Sequence, residues 1–105
     1  MVNALIAEKS DVRFQPLKVI TVDGHSELRV SGLLFHSAVV AENIRLVADG
    51  RTIRLIVEMA ATHAGKSGRF EATIALPTEV RRVTFGQTDE ELWTREDNRS
   101  VHASV

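Results

Sequence analysis

From Arg51 to Met59 the apolar Ile53, Leu55, Val57 and Met59 alternate with Thr52, Arg54, Ile56 and Glu58. A period of two belongs to a strand, whose successive side chains point to opposite faces. A helix needs apolar positions every three or four residues. Immediately upstream, Asn43 to Ala48 sets Ile44 and Leu46 on one face and Arg45 and Val47 on the other, and Asp49-Gly50 joins the two runs. Asp-Gly accepts the positive φ angles of a type I′ turn, whose twist matches paired strands, so the segment predicts a hairpin. The same device recurs earlier. Leu17 to Val22 leads into Asp23-Gly24-His25-Ser26, then Glu27 to Val30 alternates before the apolar Leu33-Leu34-Phe35.

Downstream, Gly68 to Leu76 alternates again and stops at Pro77, which cannot donate to a ladder. Val83-Thr84-Phe85 closed by Gly86, and Leu92 to Arg95, read as the last two strands. Ala38 to Val47 has some helix formers, but its β-branched residues and Asp-Gly exit favour a strand. About seven strands at this spacing predict an all-β fold, an antiparallel β-sandwich of immunoglobulin-like type. Residues 1–105 are read as one such domain, with 1–10 and 96–105 as poorly ordered ends. The expected inward set is Phe14, Leu17, Val19, Leu28, Val30, Leu33, Phe35, Ile44, Leu46, Ile53, Leu55, Val57, Phe70, Ile74, Leu76, Val83, Phe85 and Trp93.

Composition narrows the function classes. A net charge of -1 gives no bulk positive field for a phosphate backbone, and four Phe with one Trp and no Tyr leave few rings for a stacking platform. The absence of cysteine excludes disulfides, thiolate metal sites and a Cys nucleophile. The longest weakly charged stretch, Val30 to Ala41, is shorter than a bilayer span, and no signal peptide is evident, so the expectation is a cytoplasmic protein away from the membrane.

Ala60 to Ser67 (Ala-Ala-Thr-His-Ala-Gly-Lys-Ser) has the loose form of a phosphate-binding loop. The chemistry needs a helix after the lysine, and here a period-2 strand follows, so the segment reads as a turn. His25, His36, His63 and His102 lie in four separate segments without ligand spacing; no metal and no cofactor are expected. His25, His63 and His102 read as surface or turn histidines, and His36 as semi-buried against Leu34-Phe35. Ser31, Ser37 and Ser67 lack a nucleophile elbow, and Glu58 and Glu71 fall on outward faces, so the chain reads as non-enzymatic.

Acidic residues crowd the last strand: Asp89, Glu90, Glu91, Glu96 and Asp97, against Arg95 and Arg99. Arg45, Arg51, Arg54, Arg69, Arg81 and Arg82 lie earlier. Such a rim either keeps a turn and tail solvated or steers a cationic partner. The runs Ser31 to Ser37, Gly68-Arg69-Phe70, Ile74 to Pro77, Val83 to Gly86 and Leu92 to Arg95 resemble small all-β bacterial proteins, including immunity proteins of contact-dependent growth inhibition systems. That resemblance implies an antitoxin that binds a cognate toxin domain and blocks it without chemistry of its own. For a nuclease toxin with a positive groove, the expected docking residues are Asp89, Glu90, Glu91, Glu96 and Asp97, with Trp93 as anchor if exposed. Two other readings are a ligand-binding barrel or sandwich with an apolar interior and His36 as its polar contact, and an interaction module that pairs through an edge strand.

Overall fold

Both hairpins form where their turn residues place them. The computed structural model describes residues 5–35, 38–61 and 67–95. Its strands are β1 (Leu5–Ile6), β2 (Val12–Phe14), β3 (Lys18–Val22), β4 (His25–Leu34), β5 (Val39–Asp49), β6 (Thr52–Ala61), β7 (Arg69–Ala75), β8 (Arg82–Phe85) and β9 (Glu90–Thr94). Asp23 and Gly24 both take positive φ, 51° and 80°, as a type I′ turn requires between the closing pair Val22 and His25. The second hairpin differs from the expected turn. Asp49 closes the ladder opposite Thr52, Gly50 is the first turn residue at φ 60°, and Arg51 is not left-handed, which is the type II′ pattern.

The strands form two packed sheets. In the five-stranded sheet β6 is central, with β5 along one side, β1 and β8 along the other, and β9 beyond β8. In the four-stranded sheet β4 is central, with β7 on one side and β2 and β3 end to end on the other. Gln15 to Leu17 separate β2 from β3, and Pro16, which has no N–H, sits in that break.

Two strands beyond the expected seven, β1 and β2, are too short to show a period. Residues 5–7, part of the expected loose end, are tied down: β1 pairs with Met59 and Glu58, and the Ala7 N–H donates to the Val57 carbonyl. Residues 1–4 and 96–105 lie outside the described residues. The sandwich is also not wholly antiparallel, because β6 and β8 run parallel, Thr52 to Leu55 beside Arg82 to Phe85. The cause is topological. After β6 the chain crosses to the other sheet as β7 and returns in the direction in which it left.

The core lies between the sheets and centres on three rings. Phe85 meets Phe14 edge-on at 5.1 Å and Phe70 nearly parallel at 6.2 Å. Gly32 makes room for them. Opposite Phe14 on one side and Phe70 on the other, it has space for no side chain, since a Cβ would lie 2.6 Å from Val12 Cγ1 and 3.1 Å from Phe70 Cζ.

Four residues of the expected inward set are exposed: Val19, Leu33, Phe35 and Leu46. In Leu33-Leu34-Phe35 the pleat sends only Leu34 inward, in register with Leu28, Val30 and Gly32. Val19 and Leu46 sit on the edge strands β3 and β5, where the opposite sheet does not cover them. Ala7, Val12, Val40, Ile56 and Val80 are buried in addition.

Candidate functional site

Each sheet has an outer face, and the two treat their charges in opposite ways. On the five-stranded sheet the cations are held by its own carboxylates. Arg45 pairs with Glu58 at 3.2 Å, Arg54 grips Asp89 through Nε and Nη2 at 2.7 and 2.6 Å, and Arg82 lies 3.7 Å from Glu91. Register explains this: β8 brings Thr84 beside Arg54, and the β8–β9 turn folds Asp89 back over both. The Thr84 hydroxyl, wholly buried, donates to Asp89 Oδ1 at 2.9 Å. Asp89 itself sits at φ 55°, a conformation Asp tolerates better than most residues.

The hydrogen bonds from Arg54, then from Thr84, hold the Asp89 carboxyl below its ordinary value of 3.8. A carboxylate depressed in the folded state stabilises the fold above its unfolded value, and this contribution disappears as pH falls through the folded value. Asp89→Asn is therefore expected to melt at lower temperature than the parent at pH 7 and to show a shallower loss of melting temperature from pH 5 to pH 3. Parallel slopes in a thermal series would contradict it.

The acidic rim thus has few free groups. Asp89 and Glu91 are engaged by Arg54 and Arg82, Glu90 is exposed and outside those pairs, and Glu96 and Asp97 lie outside the described residues. Trp93 is half-buried, packs against the core and carries the Arg95 guanidinium 5.2 Å from its ring centroid. Arg95 is a clamp: it donates to the carbonyls of Val80 at 2.9 Å and Pro77 at 3.0 Å, fixing the return from β7 to β8. A second clamp is Glu8, whose carboxylate accepts from the N–H groups of Gln87 and Thr88 and from the Thr88 hydroxyl.

The outer face of the four-stranded sheet carries cations that have no partner among the described residues. Register aligns Lys18, Arg29 and Thr73 in one row across β3, β4 and β7, Ser31 and Glu71 in the next, and Arg13, Leu33 and Arg69 in the third. With strands about 4.8 Å apart and rows about 6.8 Å apart, four cations share a patch of roughly 10 by 14 Å. Among the described residues no ion pair or hydrogen bond engages the charged groups of Arg13, Lys18, Arg29 or Arg69, and all four residues are exposed. Lys18 stands directly opposite Arg29, an arrangement that costs a sheet stability. Gln15, Pro16 and Lys18 line one side of a shallow trough of about 500 Å³ over Arg29, Ser31, Glu71 and Thr73.

No family model, curated protein or solved structure matches the chain. A hollow of about 660 Å³, open to solvent, lies beside the Asp23-Gly24 turn. His36 lies outside the described residues, as do His63 and His102 and the centre of the Ala60 to Ser67 segment; His25 is exposed at the start of β4. Ser67 and Gly68 lead directly into strand β7. Among the described residues no three His, Asp or Glu side chains are grouped to hold a metal, and no helix is long and apolar enough to cross a membrane.

The basic face was not foreseeable as a unit. Its four cations are scattered from position 13 to position 69, and only the shared pairing with β4 collects them. The one local sign was that β4 places Arg29 among uncharged or acidic neighbours on its polar side.

Proposed function

We propose that this chain is a non-enzymatic protein-binding module that presents the outer face of its four-stranded sheet to an acidic surface. Its resemblance to immunity proteins gives that role a specific form, a protein that binds and neutralises a cognate toxin domain. The carrying observation is the set of four cations, unpartnered among the described residues, held in register on one sheet face. An isolated fold gains nothing from Lys18 opposite Arg29, whereas a partner carboxylate between them would relieve their repulsion.

A protein surface suits this face better than a nucleic acid does. Glu71 sits in the middle row and Glu27 flanks the first, so a continuous phosphate backbone would meet carboxylates as well as cations. Among the described residues the one exposed ring, Phe35, follows Leu33 just beyond the end of β4, and a lone ring gives no run of stacked bases. A mixed pattern of this kind selects a partner whose own charges alternate, and gives specificity and association rate more than raw affinity.

The test is co-expression with the product of the adjacent reading frame, followed by calorimetric titration of the purified pair. Protection from that product's toxicity is expected, and the double reversal Arg29→Glu and Arg69→Glu should weaken binding by at least about tenfold, or about 1.4 kcal/mol. The companion variant Glu90→Lys and Glu91→Lys examines the acidic rim. If it abolishes binding while the double reversal on the basic face does not, the interface belongs to the rim and the assignment to the four-stranded sheet fails.

A further inference from the structure

The half of β5 nearest its turn is an unprotected sheet edge. Residues Arg45 to Asp49 are all exposed, with Leu46 and Val47, on opposite faces, at 48% and 37%. Natural edges are usually blunted by proline, lysine or a bulge. The β2–β3 edge has Pro16, and β5 has a register shift between Ala41 and Asn43. Beyond Asn43 there is neither proline, lysine nor bulge, and the two charges that remain, Arg45 and Asp49, are opposite in sign.

The hairpin decides which backbone groups are free. In a two-residue loop the closing pair, Asp49 and Thr52, exchanges both hydrogen bonds, and strict alternation then turns Val47 and Arg45 toward β6 and Ala48, Leu46 and Ile44 away from it. The Ile44 N–H is satisfied by Asn43 Oδ1 at 3.0 Å. Leu46 and Ala48 are left, and among the described residues nothing bonds their outward groups.

We infer that β5 pairs antiparallel with β5 of a second copy, about a two-fold axis at Val47. That centre is the one at which the free groups match: Leu46 of each copy faces Ala48 of the other in a hydrogen-bonded pair, making four new ladder bonds. The same register brings side chains into agreement independently. Arg45 stands opposite the partner copy's Asp49, twice by symmetry, on the same face as Val47 against Val47. The Arg45 guanidinium has five donors and can hold Asp49 of the other copy while keeping Glu58. Edge pairing over so few residues buries less than a standard interface, so the association is concentration-dependent and reversible. It uses neither the basic face nor a toxin, and stands or falls separately from the proposed function.

Sedimentation equilibrium over a wide concentration range tests it on the purified chain. The parent is expected to pass from monomer to dimer in the micromolar range. Asp49→Lys sets like charges opposite each other twice and should raise the dissociation constant at least about tenfold; Arg45→Glu should do the same. An equimolar mixture of those two variants restores both pairs and should recover a heterodimer. Ala48→Pro removes an outward donor without touching the β6 ladder, and should leave a folded monomer. A parent that stays monomeric at millimolar concentration overturns the inference. So does undiminished self-association in Asp49→Lys, and failure of the mixture to recover overturns the register.

Discussion

Replacing Phe85 with alanine is expected to destabilise the fold by about 3–5 kcal/mol, which in a domain of this length lowers the melting temperature by roughly 15–30 °C. Phe85 is wholly buried on β8, and its ring is the only one of the three in the central cluster that comes from the five-stranded sheet. Phe14 and Phe70 come from the other sheet and touch each other edge-on at 6.3 Å across Gly32. Removing Phe85 therefore leaves two rings facing a void that neither can fill, since each is anchored on its own strand. The loss combines transfer free energy with unfilled volume. Phe85→Leu keeps much of the buried area and should retain most of the stability. Urea denaturation measures both. A loss of about 1 kcal/mol or less for the alanine variant, the size of an average point mutation, would mean that the sheets collapse onto each other more freely than a close-packed core permits.

Gly86→Ala should cost about 2–5 kcal/mol, from two sources that a comparison separates. At φ 76° an alanine pays about 1–2 kcal/mol for the left-handed backbone alone. Its Cβ would also lie 3.0 Å from the Ala7 carbonyl and press on the Glu8 carboxylate, forcing apart the contact by which Glu8 binds the β8–β9 turn. Gly24 and Gly50 share the positive φ but have nothing within 4 Å of an added Cβ. Gly24→Ala and Gly50→Ala should consequently show the backbone cost only. Equal losses at all three positions in chemical denaturation would show that the Glu8 clamp yields without penalty.

The parts of this fold legible from sequence are those set by neighbours along the chain. Asp23-Gly24 and Asp49-Gly50 announce their hairpins because turn chemistry acts over a few residues, and the run around Leu55 shows its buried face directly. The parallel pairing of β6 with β8 is not written in either strand; it depends on β7 crossing to the other sheet. β1 carries no period at all, being two residues long, and its place is decided by Met59 and Glu58 far downstream. The same divide runs through the charges. The acidic composition around β9 is plain in the sequence, but that Arg54 neutralises Asp89 from 35 positions away emerges only when β6 and β8 lie side by side. The basic face is the extreme case: two of its cations flank Pro16, one lies mid-β4 and one begins β7, and they become neighbours through pleat and register alone.

The Glu8 clamp sets an order of events during synthesis. Its hydrogen-bond partners, Gln87 and Thr88, follow it by 79 and 80 positions, so this contact closes only once the β8–β9 turn has been made, after the same segment has been able to pair with Met59 and Glu58 on β6. A chain closed by so distant a contact folds only after most of it has been made, and in the slow range typical of sandwiches, milliseconds to seconds rather than microseconds.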